Sequence, residues 1–325
     1  MTATEDVQPA TEAAATRSGF VALIGAPNAG KSTLVNQLVG AKVSIVTHKV
    51  QTTRAIVRGI ATHDNAQIVF VDTPGIHKPR TLLGERLNDL VRDTLSEVDV
   101  IAFCLPADQK VGPGDRYIAA QLAELMTGRR RVPVVAVVTK ADLVPREALM
   151  EHLISVDRLA KTVDREWADI VPVSAKDGYQ VEELEAVLVS HLPEGPDLYP
   201  DGELTDEPEA VMVAELVREA ALEGVRDELP HSLAVVVEEI IEREGSGDPE
   251  KGKPALLDVR VNLFVERDSQ KAIVIGRGGS RLRTVGTEAR RGIEKLLGQR
   301  VYLDLHVKVA KDWQRDPKQL RRLGF

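Results

Sequence analysis

Three polar residues in the first quarter of the chain have the types and spacing that bind phosphate groups. Lys31 and Ser32 close the segment GAPNAGKS, residues 25–32, which matches the pattern G-x-x-x-x-G-K-[ST] between an apolar run and a candidate helix. In this pattern backbone N–H groups surround the phosphates, the lysine reaches the outer ones and the serine hydroxyl binds Mg2+. Asp72 opens the segment DTPG after an apolar run, where it could hold Mg2+ through water while the Gly75 N–H meets a γ-phosphate. The spacing predicts a nucleoside triphosphate site with Mg2+.

A second pair of motifs concerns the base of that nucleotide. The segment TKAD, residues 139–142, ends the apolar run 134–138, and SAK, residues 174–176, follows the next candidate strand. A carboxylate accepts two hydrogen bonds from the N1–H and 2-amino edge of guanine, whereas adenine has an acceptor at N1 and no 2-amino group. Asp142 therefore predicts guanine, with the SAK backbone completing the pocket. The expected ligands are GTP and GDP.

Another glycine-rich segment lies in the last fifth of the chain. Residues 276–279, GRGG, fit G-x-x-G between two candidate helices, with Arg277 at the tip and Arg281 and Arg283 just beyond. The segment lacks the Lys-Ser/Thr pair and the metal-holding Asp of a second nucleotide site. In a KH domain such a loop clamps about four single-stranded nucleotides. RNA clamping is the favoured interpretation, and a plain helix-to-helix turn is the alternative.

The elements that must position the first loop alternate between short apolar runs and amphipathic stretches. This alternation predicts a doubly wound α/β sheet with ligands at the carboxyl ends of its strands. The expected strands are 20–24, 56–61, 68–72, 98–105, 132–139 and 170–173, and the expected helices are 31–39, 84–96, 115–127, 146–162 and 180–191.

The composition changes after residue 192. Residues 193–210 contain four prolines and seven acids, which is typical of an extended linker. The order helix, strand, strand, helix, helix, strand then predicts a small α+β domain of type II KH arrangement over 211–310. Its expected elements are 211–228, 232–242, 256–265, 270–275, 280–297 and 301–309. We also expect a disordered acidic tail over 1–18, the α/β domain over 19–192 and a C-terminal tail over 311–325.

Charge is distributed unevenly along the chain. The net charge is -8, yet residues 251–325 carry 18 Lys and Arg against 8 Asp and Glu, while residues 1–250 carry 24 against 42. A basic C-terminal unit fits a polyanion such as RNA. The single cysteine, Cys104, lies in an apolar run, which fits a buried thiol in a reducing cytoplasm. No apolar run reaches membrane-spanning length, so we expect a cytoplasmic protein.

The motif series GAPNAGKS, QTTRA, DTPG, TKAD and SAK, in this order, resembles translation-factor-related GTPases. With the segments ELPHSLAVVVEEI and IVIGRGGSRLRTV and the ending LRRLGF, residues 19–325 resemble the Era family of ribosome-assembly GTPases. The resemblance implies binding to the 3' end of small-subunit ribosomal RNA, rRNA processing and late maturation of the small ribosomal subunit, with GTP favouring the RNA-binding conformation. It also implies peripheral contact with the cytoplasmic face of the inner membrane, and we expect a monomer.

QTTRA, residues 51–55, looks like the first switch of such GTPases, with Thr53 closing on Mg2+ and Thr52 as the alternative. Paired threonines that merely begin a strand would explain the segment too. Asn28 matches the position at which related GTPases hold a potassium ion, so K+ is a candidate helper.

Two positions depart from the family pattern. The usual Asn of the guanine motif is Thr139, which should weaken nucleotide binding by a factor of a few to about ten. Ile76 follows DTPG, where Ras-like enzymes place a water-orienting Gln, so we expect slow intrinsic hydrolysis. Two other functions stay open: a tRNA-modification GTPase, which would need a reactive terminal cysteine, and an RNA-binding scaffold that uses GTP only for stability.

The candidate residues fall into four overlapping sets. Those expected to act on the reacting phosphate are Lys31, Thr53, Asp72 and Gly75. The candidate Mg2+ ligands are Ser32, Thr53 and Asp72. The nucleotide-binding set is Gly25, Ala26, Pro27, Asn28, Ala29, Gly30, Lys31, Ser32, Thr52, Thr53, Asp72, Thr73, Pro74, Gly75, Ile76, Thr139, Lys140, Ala141, Asp142, Ser174, Ala175 and Lys176. The RNA-binding set is Gly276, Arg277, Gly278, Gly279, Arg281 and Arg283.

Overall fold

The computed structural model describes residues 16–49, 52–79, 81–125, 131–225, 232–247 and 255–325. Most of the expected acidic tail, residues 1–15, lies outside the described residues. The first strand already begins at Arg17, two residues before the predicted domain boundary, because Arg17 and Ser18 pair with Ala66 and Gln67.

A six-stranded sheet forms the N-terminal domain in the order β2-β3-β1-β4-β5-β6. All neighbours pair in parallel except β2, an antiparallel edge strand. The strands are β1 (Arg17–Gly25), β2 (Val57–His63), β3 (Ala66–Asp72), β4 (Val100–Pro106), β5 (Val134–Thr139) and β6 (Asp169–Pro172). Strands β3, β4 and β5 are buried at every residue, as expected for strands with both faces covered.

Helices cover both faces of this sheet. They are α1 (Lys31–Val39), α2 (Leu82–Leu95), α3 (Pro113–Leu125), α4 (Arg146–Thr162) and α5 (Val181–His191). Apolar residues of α1 and α5 pack on one face, and those of α2, α3 and α4 pack on the other. The doubly wound α/β prediction is confirmed, and the end of predicted helix 115–127 lies outside the described residues. The parallel strands bring all their carboxyl ends to one edge, where the motifs follow.

The proline-rich segment after α5 contains bends at 198–199 and a turn at 201–202, and it lies against the sheet. The Ile60 N–H of edge strand β2 donates to the Leu204 carbonyl over 2.9 Å. The Gln67 side chain accepts from the N–H groups of Leu198 and Tyr199. The last of these contacts is at Asp206, which accepts from Arg58 and from the Tyr199 hydroxyl.

The C-terminal domain has three strands in the order β7-β8-β9. Its elements are α6 (Glu209–Leu222), β7 (Ala234–Glu242), β8 (Leu256–Val265), α7 (Asp268–Ile275), α8 (Ser280–Leu297) and β9 (Arg300–Val309). The β7–β8 pair is antiparallel and the β8–β9 pair is parallel. This order is the predicted type II KH arrangement. The predicted end of its first helix, residues 226–228, lies outside the described residues.

Residues 311–325 are not the simple tail that the sequence predicts. Trp313 starts a short 3-10 helix and is fully buried, and helix α9 (Pro317–Arg322) follows. Trp313 and Leu320 form an apolar cluster with Leu83 and Leu87 of α2 and with the start of β7. The segment is ordered because its apolar side chains pack against apolar residues of α2. The C-terminal segment therefore joins the two domains.

None of the helices in the described part of the chain combines the length and the apolar character needed to cross a bilayer.

Candidate functional site

The loop between β1 and α1 is held in shape by its own lysine. The Lys31 ammonium donates to the carbonyls of Gly25 and Ala26 over 3.2 and 3.1 Å, and its side chain is buried. An ammonium has three donors, so one is left for a phosphate oxygen. Helix α1 begins at Lys31, and its first-turn N–H groups have no partner within the helix. The loop thus offers a cation and backbone donors to an anion.

DTPG lies directly against this loop. A Cβ at Gly75 would meet the Pro27 nitrogen at 2.7 Å, so only glycine allows this approach. The Ile76 N–H donates to the Gly25 carbonyl over 3.2 Å, and the Ile76 side chain is buried in the core. Thr73 is turned inward, with its hydroxyl on the Leu23 carbonyl, and Pro74 is buried. The motif therefore presents backbone, and no polar side chain follows it at position 76.

Three hydroxyls converge on the carboxylate of Asp72. The Thr53 hydroxyl lies 3.0 Å from that of Ser32 and 3.4 Å from Asp72 Oδ2, and Ser44 donates to Oδ2 over 2.7 Å. Among the described residues, the buried Asp72 Oδ1 has no hydrogen-bond partner. Carboxylate and hydroxyl oxygens are the hard ligands that Mg2+ prefers, and the partnerless Oδ1 is an acceptor for a metal-bound water. These residues fit a magnesium ion.

The burial of this centre shifts its charged groups. Burial raises the pKa of Asp72, while Lys31 and the hydroxyls of Ser32, Ser44 and Thr53 oppose the shift. Burial lowers the pKa of Lys31, and Asp72 opposes that shift. Both groups are shielded from solvent, so the charge of each stabilises the charged form of the other. A bound phosphate would further stabilise the Lys31 ammonium, and a bound metal would stabilise the Asp72 carboxylate.

The two candidate switch threonines have different surroundings. Thr53 is buried and faces Ser32 and Asp72, as described above. Thr52 turns away, with its hydroxyl 2.6 Å from that of Thr47 and donating to the Lys49 carbonyl over 2.7 Å. The geometry therefore favours Thr53 as the metal ligand. Gln51, the first residue of QTTRA, lies outside the described residues.

The base-binding motifs meet at the ends of the paired strands β5 and β6. The Ala141 N–H donates to the Val173 carbonyl over 3.1 Å, and Asp142 next to it is exposed in a short 3-10 helix. The buried Thr139 hydroxyl donates to the Ala29 carbonyl of the phosphate loop over 2.6 Å. Thr139 thus ties the base side to the phosphate side. Lys140 forms an ion pair with Asp108 at 3.1 Å.

The residues of SAK differ in exposure. Ser174 is fully buried, Ala175 is partly buried and Lys176 is exposed. The Ser174 N–H donates to the Tyr179 carbonyl over 3.0 Å, which closes the loop that carries the motif.

A cavity of about 460 Å³ runs along these motifs. Of the predicted nucleotide-binding residues, 27–32, Thr52, Thr53, Gly75 and Lys140 line it. The others lie outside its lining: Gly25, Ala26, residues 72–74, Ile76, Thr139, Ala141, Asp142 and residues 174–176. The lining also contains Thr33, residues 45–49, Asp108, Gln109 and Leu143, which belong to none of the predicted sets. Asp108 and Gln109 could have been found, since they follow the carboxyl end of a predicted strand. Nothing in the sequence marks Ser44, which contacts Asp72 across 28 positions of the chain.

The second glycine loop joins α7 to α8. Gly276, Gly278 and Gly279 have φ of 73, 59 and 78°, and a Cβ at Gly276 would lie 2.6 Å from that of Arg281. Gly278 has open space around it, and Arg277 and Arg283 are exposed. The loop thus exposes bare backbone beside two cations.

Arg281 has a structural contact that the sequence did not predict. Its guanidinium donates to the carbonyls of Ala221 and Glu223 over 3.2 and 2.7 Å, at the end of α6. The last carbonyls of a helix lack intrahelical partners, so Arg281 satisfies them. It holds α6 against α8, and its predicted contact with RNA stays a prediction.

Comparison with known proteins identifies both domains. The family described as "50S ribosome-binding GTPase" matches residues 20–140, and the KH domain family matches residues 228–314. The chain belongs to the Era family of GTPases. It is 62% identical over 309 residues to GTPase Era of Nocardioides sp., covering 95% of this chain and 96% of that one. It is also 62% identical to GTPase Era of Streptomyces coelicolor, again over 95% of both chains.

Two solved Era structures have the same architecture throughout. One, at 37% identity and a TM-score of 0.86, is a complex of Era with MgGDPNP and nucleotides 1506–1542 of 16S ribosomal RNA. The other, at 36% identity and a TM-score of 0.86, is a single-residue variant of Aquifex aeolicus Era bound to GDP and AlF4-. Each covers 95% of this chain and 99% of its own. The protein is a GTPase, with its P-loop domain followed by a KH domain.

Proposed function

We propose that this protein is a GTP-driven switch that binds the 3' end of small-subunit ribosomal RNA and assists rRNA processing and small-subunit maturation. The observation that carries the proposal is the coexistence of a buried phosphate loop and an exposed G-x-x-G loop in one chain. The related Era structure that contains a 16S rRNA segment supports the choice of RNA. We place the protein in the cytoplasm as a monomer, with peripheral contact at the inner membrane.

Each residue of the nucleotide site receives a role. Lys31 binds the outer phosphates with its remaining donor and offsets the negative charge that develops as the terminal phosphate leaves. The N–H of Gly75 donates to the γ-phosphate. Asp142 selects guanine at its exposed edge, and the loop at 174–176 supplies backbone contacts to the base.

Ser32, Thr53 and Asp72 would hold a magnesium ion. Such an ion supplies positive charge to the phosphates when it is bound. The protein's own contribution is to keep these oxygens together in a water-poor pocket, where electrostatic interactions are stronger than in bulk solvent.

Hydrolysis should depend on a monovalent cation, because Ile76 cannot orient water by hydrogen bonding. The Asn28 Nδ2 donates to the His48 carbonyl over 3.1 Å, so the side-chain oxygen is the atom that would face the ion. We expect faster GTP hydrolysis in potassium chloride than in sodium chloride at equal ionic strength. Equal rates in the two salts would remove potassium from the mechanism.

The exposed loop is proposed to clamp the RNA backbone. Gly276, Gly278 and Gly279 let the sugar-phosphate chain approach the amides, and Arg277 and Arg283 supply charge. Turnover should be measurable alone and should increase with an oligonucleotide copying the 3' end of small-subunit rRNA, but not with a shuffled one. Absence of turnover under both conditions would favour a non-enzymatic scaffold.

Crosslinking in cells tests the RNA target directly. The wild-type protein should crosslink at the 3' end of the small-subunit rRNA, and a Gly278→Asp variant should lose that footprint. A wild-type footprint elsewhere, for example on transfer RNA, would overturn the assignment and favour a tRNA-modification role.

A further inference from the structure

Lys42, Val46 and Thr52, which precede Thr53 in the GTPase domain, contact the KH domain. Helix α6 makes all three contacts. Glu219 pairs with Lys42 and accepts from the Val46 N–H over 3.0 Å. Arg218 donates to the Thr52 carbonyl. These contacts place a KH helix on the loop that carries the candidate metal ligand.

Arg218 is unusual for a charged residue because only 2% of its surface is exposed. Its guanidinium also pairs with Glu215, one turn earlier on α6. A buried ion pair is weak support for stability, since well-packed apolar residues often serve as well. What the buried guanidinium adds is a fixed direction for the hydrogen bond to Thr52.

The peptide bond explains why that bond matters to the next residue. The Thr52 carbonyl and the Thr53 nitrogen belong to one planar unit. A donor that holds the Thr52 carbonyl therefore fixes the orientation of the peptide plane that contains the Thr53 nitrogen and Cα, and so restricts the direction of the Thr53 side chain. That side chain is the one lying between Ser32 and Asp72.

The other side of Thr53 is anchored in the same way. Arg54 is buried and donates to the Leu233 carbonyl over 2.7 Å, just before strand β7. Its guanidinium lies 5.9 Å from the centre of the Trp313 ring. Burial lowers the pKa of Arg54 to about 9, with Arg218 adding to the shift. Thr53 is thus held from both neighbours by the C-terminal half of the chain.

We propose that Arg218 and Arg54 are positioning residues for GTP hydrolysis, through which the KH domain holds Thr53 at the metal site. The inference rests on the proposed role of Thr53. Through these contacts RNA binding could also change the rate of GTP hydrolysis. Arg281, which follows the G-x-x-G loop, donates hydrogen bonds to the last carbonyls of the same helix α6.

The test is a magnesium titration of GTP hydrolysis in the full chain. Arg218→Met should raise the Mg2+ concentration for half-maximal rate, and lower kcat, by about 10-fold to 100-fold, as for other groups that orient metal ligands. GDP affinity without Mg2+ should stay within about twofold, because the phosphate loop and base pocket are untouched. Arg218→Lys, which keeps the charge and one donor, should fall between wild type and Arg218→Met.

Three further variants make the outcome decisive. Thr53→Ala should shift the Mg2+ requirement in the same direction, and adding Arg218→Met to it should change the requirement by less than about twofold. Glu219→Ala, at a more exposed position, should give a smaller shift and covers the case in which Arg218→Met fails to fold. Arg260→Met removes the ion pair between Arg260 of β8 and Glu239 of β7, away from the metal site, and should behave as wild type.

Two results would overturn the inference in distinguishable ways. If Thr53→Ala shifts the Mg2+ requirement while Arg218→Met and Glu219→Ala do not, the KH domain does not position the threonine. If Thr53→Ala itself has no effect, the proposed role of Thr53 fails, and the inference fails with it.

Discussion

The two glycine-rich loops have opposite surroundings. The loop at 25–32 is backed by a buried lysine and carboxylate and lines a cavity of about 460 Å³. The loop at 276–279 projects from the KH domain, with open space around Gly278 and an exposed Arg277. Glycine serves close approach in both, but the first surroundings suit a compact ligand with a metal and the second suit a long polymer. The charge and burial around the glycines distinguish the loops, whereas the glycines themselves do not.

The largest expected contrast is in thiol chemistry beside the two loops. Cys104 lies under the first loop, where a Cβ at Gly25 would meet its carbonyl at 2.6 Å, and burial raises its pKa to about 12. A thiol with a raised pKa stays protonated, and the thiolate is the form that reacts. At pH 8 Cys104 should therefore react with iodoacetamide about a thousandfold more slowly than an exposed cysteine. An Arg277→Cys variant provides that cysteine.

Mass spectrometry of the labelled peptides gives both rates in one sample. Cys104 should react at the ordinary rate after unfolding in urea, which controls for the reagent. Similar alkylation rates at both positions in the folded protein would mean that the first loop does not shield Cys104 from solvent and reagent.

The next effect concerns the lysine that only the first loop has. Lys31→Met should lower GTP hydrolysis by about 100-fold to 1000-fold, because a preorganised donor to the reacting phosphate is lost. RNA affinity without nucleotide should not change. Lys161→Met removes a surface lysine paired with Asp157 and serves as the control in the same assay. A parallel loss of RNA binding would contradict the division between the loops.

A mutation in the second loop should have the reverse pattern. Gly278→Asp adds a negative charge at a residue with φ of 59°, so we expect RNA affinity to fall by about 10-fold to 100-fold. GTP hydrolysis without RNA should be unaffected. Gly298→Asp is the matched control, since Gly298 has φ of 65° and open space but lies at the other end of α8. Equal losses in the two variants would indicate that strain, rather than the clamp, is responsible.

The smallest effect is expected at Thr139, which connects the base-binding motif to the phosphate loop. Thr139→Asn should tighten GDP binding by a factor of a few to about ten, because an amide adds a contact of about 0.5 to 1.5 kcal/mol. Calorimetric titration with GDP measures it directly. Unchanged or weaker affinity would mean that the Thr139 contact with Ala29 already does what the amide would do.

Local patterns predicted much of this fold. Helices α4 and α8 have the predicted bounds, 146–162 and 280–297, because their apolar faces repeat at helical spacing over many residues. The phosphate-loop and guanine motifs are short and contiguous, and parallel strands bring them to one edge of the sheet. Sequence order alone was enough to predict that they meet.

Contacts between distant segments could not be predicted in this way. The bond from Arg218 to Thr52 spans 166 positions and has no local signature. Residues 311–325 are too few for a clear periodicity, and their helix depends on a surface that α2 provides. Arg281 carried the correct charge for RNA, but only the position of the α6 end revealed its other partner.

The linker has a mechanical consequence for any movement of the KH domain. Its contacts with the GTPase domain continue to Asp206, and α6 begins at Glu209. The chain between these two points is therefore residues 207–208, which span about 7 Å when extended, rather than the whole of 193–210. A tether this short allows the domain to pivot but not to travel. A short connection of this kind keeps the two domains at a high effective concentration for each other.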